Sequence, residues 1–225
     1  MLVDDRKAKV AVADRGSDAR IQRHAFVDRL FHWLSAVTVL ALMATAFLPI
    51  LGIEFAWVTI HWIAGLVLAV LVVFHIVRSL VWQRIATVWV GLRDVREGWS
   101  ALRSSGEVKV GGKYSLAQKA IHNAFAIVVL TAVVTGGLML AKVDTPWWER
   151  NPYWLSDTTW GLVYVLHDLA SLCLVTMVIL HIYFALRPEK LYLLRSMLRG
   201  WITTTEYERH YDDTRWSPGR TPTGR

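Results

Sequence analysis

The stretch FAWVTIHWIAGLVLAVLVVFHIVRSLVW, residues 55–82, decides the fold. It is longer than the about 20 apolar residues that carry a helix across hydrocarbon, and Arg78 is its one formal charge. Working outward, three further runs pass the same test: Leu30 to Leu51, Ala117 to Ala141 and Thr159 to Leu186, with Asp168 near the start of the last. Only helices or closed barrels satisfy the backbone in lipid, and these continuous runs lack the alternation of barrel strands. The expectation is an all-α integral membrane protein, a bundle of four transmembrane helices.

Composition agrees. Of 225 residues, 54% are hydrophobic, well above the share of an ordinary soluble domain. The one cysteine, Cys173, lies within the fourth run and has no partner in the chain, so no disulfide framework exists. Residues Met1 to Arg23 contain no apolar core of a signal peptide and read as a disordered cytoplasmic arm. The expected organisation is that arm at 1–23, a four-helix membrane domain at 24–200 and a cytoplasmic tail at 201–225.

Basic residues mark the cytoplasmic side of a membrane protein. Arg6, Lys7, Lys9, Arg15, Arg20, Arg23 and Arg29 precede the first run, Arg84, Arg93, Arg96, Arg103, Lys109 and Lys113 lie between the second and third, and Lys119 stands at the entry to the third. Arg187, Lys190, Arg195, Arg199, Arg209, Arg215, Arg220 and Arg225 follow the fourth. The first connection, Pro49 to Phe55, has none, and the third, Lys142 to Asp157, has only Lys142 and Arg150. Both termini are therefore placed in the cytoplasm. The net charge of +7 is spent at membrane boundaries, where it sets topology and meets anionic lipid, which argues against nucleic acid as a partner. Tryptophans such as Trp57, Trp147, Trp148, Trp154 and Trp160 outside, and Trp82, Trp89 and Trp99 inside, fit interfacial belts.

Histidine carries the chemistry. His32, His61, His75, His122, His167 and His181 fall in or at the ends of the four runs, where polar side chains are costly and need a compensating role. His61 and His75 are fourteen residues apart, and so are His167 and His181. Fourteen helical steps return to within roughly 40° of the starting face and climb about 21 Å, so each helix presents two imidazoles on one face, one per leaflet. Gly65, Leu68 and Val72 on one helix, and Ser171, Leu174 and Val178 on the other, form the mostly apolar face between them. Paired imidazoles across such faces suit bis-histidine haem b, one haem in each leaflet. His61 and His167 are the intramembrane histidines near the outer surface. Near the inner surface His32, His75, His122 and His181 compete for two axial positions, and spacing does not choose among them. A histidine-lined proton or metal transporter is the rival of another class, and a purely structural anchor is a third reading; a transport path calls for acidic or thiolate neighbours, and only Asp168 and Cys173 are at hand.

These residues bring a family into view. Asp28-Arg29-Leu30-Phe31-His32-Trp33 is similar to an R-x-x-H-W start of a first helix, and His61-Trp62-Ile63-Ala64-Gly65 with Arg78 resembles a second. Gly112-Lys113-Tyr114-Ser115-Leu116-Ala117-Gln118-Lys119 with Thr135-Gly136, and His167 with His181-Ile182-Tyr183, resemble the third and fourth. Together, over about Arg23 to Trp216, they resemble the cytochrome b subunits of membrane-bound formate dehydrogenases, with the related anchors of nickel-iron hydrogenases and thiosulfate reductases. The resemblance implies a multi-pass protein of the bacterial inner membrane that is not catalytic on the primary substrate. An iron–sulfur subunit and a molybdenum or tungsten catalytic subunit on the outer face would pass electrons through two haems b to ubiquinone or menaquinone near the cytoplasm. By position it implies His61 and His167 as outer ligands and His32 and His181 as inner ones. His75 departs from the family's apolar residue there and stays as the alternative inner ligand. The resemblance also implies a quinone pocket at Lys113, Tyr114, Ser115 and Gln118, with Ser115 standing where the family pattern reads asparagine, and His122 is a candidate proton donor there.

Outside the spans, Ser104 to Ser115 reads as a turn. The connection Lys142 to Trp160, with Pro146, Pro152, Tyr153 and four tryptophans, is too aromatic for a simple solvated loop and is expected to lie partly in the interface and partly against a partner. Leu191, Leu194, Met197 and Leu198 with Arg195 and Arg199 predict a short helix on the membrane surface, and the chain beyond Thr203 reads as a polar extension.

Overall fold

The computed structural model describes residues 19–81, 89–103, 112–211 and 216. In chain order these form strand β1 (Arg20–Gln22), helices α1 (Phe26–Phe47), α2 (Trp57–Val81), α3 (Leu92–Arg103), α4 (Leu116–Met139), α5 (Asp157–Ala185) and α6 (Leu191–Arg199), strand β2 (Trp201–Thr203) and helix α7 (Thr204–His210). Short 3-10 turns at Pro49–Leu51, Leu140–Lys142 and Pro188–Lys190 extend or introduce α1, α4 and α6. Four helices are long and apolar enough to cross a membrane: α1 and α4 with their trailing turns, α2 and α5. They fall on the four runs read from the sequence, and α1 begins four residues earlier, at Phe26. Only 6 to 17% of each span's most apolar window is buried within the chain, so most of this surface needs lipid or another subunit to leave water.

The chain divides into two compact units. One comprises residues 30–85 and 121–182 and holds most of the length of the four spans. Its few buried apolar side chains include Leu68 on α2 and Val163, Ala170 and Leu174 on α5, so the faces that carry the paired histidines are the faces that turn inward. Thr38, Thr45 and Thr135 are buried among them, each with its hydroxyl bonded to a carbonyl of its own helix, which is how a hydroxyl is satisfied where no water reaches. At the other side of the spans, Trp160 is buried and gives its indole N–H to the Pro152 carbonyl at 2.8 Å, which ties the connection 143–156 to the start of α5.

The second unit comprises residues 1–29, 86–120 and 183–225. Here the structure adds elements that the sequence reading did not anticipate. Residues 20–22, expected in the disordered arm, pair antiparallel with 201–203, in the register Arg20 to Thr203, Ile21 to Ile202 and Gln22 to Trp201. Residues 204–210, the first part of the expected extension, form α7 because Thr203 and Glu206 make a reciprocal capping box and Arg195 pairs with the Glu206 carboxylate. Ile202, Tyr207 and Tyr211 make a small core against Ile21, Tyr192 and Trp216. The predicted surface helix is α6, and α3 is a further amphipathic helix whose Leu92, Val95 and Trp99 are exposed at helical spacing. Lys119 holds α3 through both oxygens of Asp94 at 2.9 Å. Residues 1–18 of the expected arm, 104–111 of the expected turn, and 212–215 and 217–225 of the expected tail lie outside the described residues.

Gly200 makes the close join of this unit. It terminates α6 at φ +91°, its carbonyl accepts from the Arg23 and His24 amides at 2.8 and 3.1 Å, and a Cβ there would lie 3.1 Å from the His24 carbonyl oxygen and 3.2 Å from the Arg29 guanidinium. Gly200→Ala is expected to cost about 1–3 kcal/mol, the torsional penalty of a left-handed alanine plus displacement of its neighbours. The comparison is Gly52→Ala at φ +82°, where nothing lies within 4 Å and only the torsional part applies. A larger fall in melting temperature for Gly200→Ala than for Gly52→Ala is the expected result; equal falls would remove the packing argument.

Candidate functional site

The six membrane histidines all belong to the unit of residues 30–85 and 121–182, and they fall into three pairs. His61 on α2 faces His167 on α5, with ring centres 6.4 Å apart and planes crossed at 73°. Toward the other end of α5, His181 faces His32 on α1 at 6.2 Å and 56°. His75 on α2 faces His122 on α4 at 5.7 Å, with one face stacked on Phe31 at 4.6 Å. So α5 supplies one imidazole to each of two pairs, fourteen residues apart, and its partners come from α2 and α1.

The local structure explains the first pair's placement. Gly136 on α4 leaves room for His167, since a Cβ on it would come within 3.1 Å of the imidazole Cε1. Thr135, the preceding residue, bonds His167 Nδ1 through its hydroxyl oxygen at 2.9 Å, and Thr45 on α1 does the same to His61 Nδ1 at 2.8 Å. Neither threonine was singled out as a site residue from the sequence. The only signal was the Thr135-Gly136 dipeptide, and Thr45 is one of three hydroxyl residues, with Ser35 and Thr38, in the first run. Phe125 lies edge-on to His181 at 5.9 Å.

The residues expected around a quinone lie in the other unit. Ser115 and Gln118 bond one another in a capping box at the start of α4: the Ser115 amide gives to the Gln118 side-chain oxygen at 2.9 Å, and the Gln118 amide to the Ser115 hydroxyl at 3.2 Å. Their side chains thereby have a structural task. Lys113 and Tyr114 are differently placed. The Lys113 carbonyl accepts from Arg23, and the Lys113 ammonium lies 5.4 Å from the Tyr114 ring. Burial, with the neighbouring Arg23 charge, holds the Lys113 ammonium below its usual range, and Asp28 partly offsets this. Burial pushes the Tyr114 phenol up, against the pull of Arg23. Arg23 is itself buried, bonds the Tyr211 hydroxyl and His24, and was read from the sequence only as a topological charge.

Residues 23–200 match the profile of the family described as prokaryotic cytochrome b561. The chain belongs to that family. The cytochrome is also 25% identical over 215 residues to the formate dehydrogenase cytochrome b556 subunit of Haemophilus influenzae, an alignment that covers 89% of this chain and 83% of that protein. It is thus a multi-pass membrane cytochrome b, and the family implies haem b.

Its paired imidazoles fit that group. A ligating imidazole nitrogen stands about 2 Å from its metal with the ring centre about 1 Å behind it, so two rings on opposite sides of one ion have centres about 6 Å apart. The pairs at 6.4 and 6.2 Å meet this separation, and their donors are nitrogen alone, as bis-histidine haem requires. His75 and His122 meet the distance as well, so distance does not rank the inner candidates. Among the described residues no three His, Cys, Asp or Glu side chains gather as a metal-ion site.

Proposed function

We propose that this cytochrome is the di-haem membrane subunit of a formate dehydrogenase-like respiratory complex of the bacterial inner membrane. It anchors the complex and passes electrons from an iron–sulfur subunit on the outer face to a quinone near the cytoplasmic face. The observation that carries the reading is the recurrence of one arrangement on α5: His167 paired with His61, and fourteen residues on, His181 paired with His32. Haem b, when bound, supplies one-electron oxidation and reduction at iron. The chain's own residues hold and orient. His61 and His167 would ligate the outer haem and His32 and His181 the inner one, while the apolar faces around Leu68 and Leu174 keep water from both.

Fourteen helical residues span about 21 Å, most of the hydrocarbon thickness, so two haems on one helix bridge a distance that one would not. The outer connection offers a docking surface, with Trp147, Tyr153 and Trp154 exposed and Tyr153 at 91%. On the cytoplasmic side Lys113 and Tyr114, beside Arg23, are the groups proposed to meet the quinone; Ser115 and Gln118 shape that segment by capping α4. Residues 24–200 form the membrane domain in this reading. Formate as the donor rests on the similarity to the Haemophilus influenzae subunit.

The test is purification from the native membrane in mild detergent. The expected preparation contains two haems b per chain and co-purifies with an iron–sulfur subunit and a formate-oxidising catalytic subunit. A complex that retains its partners but carries no haem would overturn the reading, and partners that oxidise hydrogen or a sulfur compound would replace formate while keeping the cytochrome role.

A further inference from the structure

We propose that Thr45 and Thr135 are positioning residues that fix His61 and His167 as Nδ1-protonated imidazoles, with Nε2 left free to ligate the outer haem. The inference rests on the assignment of that pair as haem ligands and deepens it.

A threonine hydroxyl has one proton to give. Thr45 sends its proton back along α1, to the carbonyls of Ala41 and Leu42, both at 2.9 Å. Thr135 does the same on α4, to Thr131 at 2.6 Å and Ala132 at 3.2 Å. With the proton engaged, each hydroxyl oxygen can only accept, so the bonds of 2.8 Å to His61 Nδ1 and 2.9 Å to His167 Nδ1 need an N–H on the imidazole side. A neutral imidazole protonated at Nδ1 keeps its lone pair on Nε2, the nitrogen that must face the metal.

Back-bonding by itself is ordinary for a threonine in an apolar helix. Thr38, Thr131 and Thr176 bond their own helices in the same way. What separates Thr45 and Thr135 is the imidazole on the same oxygen, in a site where both threonines are only 4% exposed and water is not an alternative partner. The device occurs twice, on α1 for the ligand from α2 and on α4 for the ligand from α5. Among the described residues, no side-chain hydroxyl is bonded to His32 or His181. The two haem sites therefore differ in how their ligands are held.

An acceptor on Nδ1–H makes the imidazole a stronger donor and favours ferric iron, so removing it is expected to raise the midpoint potential of the outer haem. Such partners are commonly worth at least tenfold in affinity; a tenfold loss confined to the ferric state corresponds to 59 mV for one electron. The experiment is a redox titration with low-temperature EPR on the intact complex carrying Thr45→Val, Thr135→Val or Thr45→Ser. Each valine variant is expected to raise one haem potential by about that amount and to move the g values that report the angle between the axial rings. The other haem should be unchanged, and the serine variant should return to wild type. Because the threonines act on separate helices, either valine variant alone is decisive. Wild-type potential and g values in a valine variant that keeps both haems would overturn this inference and leave the haem assignment standing. A wild-type complex without an outer haem, or one that keeps it in His167→Ala, would overturn the assignment itself.

Discussion

His167→Ala is expected to yield a complex with one haem in place of two and with formate-dependent quinone reduction at background. His167 is not replaceable from its surroundings. Of the intramembrane histidines, only His61 shares its end of the spans, and the neighbours on α4 are Thr135 and Gly136, which hold the ring and make room for it but offer no nitrogen. In the proposed assignment, His61 would be left as the one imidazole at that site, and Asp168, adjacent in sequence, occupies a different helical face about 100° away. Gly136→Ala provides a graded version of the same experiment. A Cβ 3.1 Å from His167 Cε1 forces the ring to give by a few tenths of an ångström, so the outer haem should be retained with a shifted spectrum rather than lost. Pyridine haemochrome stoichiometry reads the first variant and low-temperature absorption the second. Two haems in His167→Ala would sink the outer assignment.

The membrane spans were legible because their signal is local and large: about 20 residues without charge have few other uses, and the four observed helices lie on the four runs. The fourteen-residue spacing on α2 and α5 was legible for the same reason, since helical periodicity converts sequence separation directly into face and height. Pairing between helices was not. His61 with His167 followed from topology, but which of four inner histidines face one another depends on how helices far apart in sequence pack, and no periodicity encodes that. The threonines were missed because a hydroxyl in an apolar run looks alike whether its oxygen is shared with an imidazole, as at Thr45, or not, as at Thr38. The β1–β2 ribbon was missed for a related reason: three residues at 20–22 have no strand signature until residues 201–203 arrive to pair with them. Ser115 and Gln118 show the converse. The family resemblance placed them in a quinone pocket, while the structure uses their spacing as a helix cap.

His32→Ala is expected to remove the inner haem, and His75→Ala to leave two haems in place. The symmetry argument for His75 treats α2 and α5 as matching ladders, so that His75 would face His181 as His61 faces His167. Packing breaks that symmetry. The ring found 6.2 Å from His181 is His32, and His75 is engaged elsewhere, stacked on Phe31 at 4.6 Å with planes only 11° apart and set edge-on to His122. Swinging His75 toward His181 would break the Phe31 stack and leave His122 without its aromatic neighbour, whereas His32 is already opposite His181. Because Phe31 precedes His32 on α1, His75→Ala removes the contact beside the inner site without touching its ligand. It should shift the inner haem's potential or spectrum modestly while preserving stoichiometry. Haem content and a redox titration of the two variants, each purified with its partner subunits, separate the alternatives: loss of the inner haem in His75→Ala but not in His32→Ala would assign the ligand to α2 and overturn the pairing of α1 with α5.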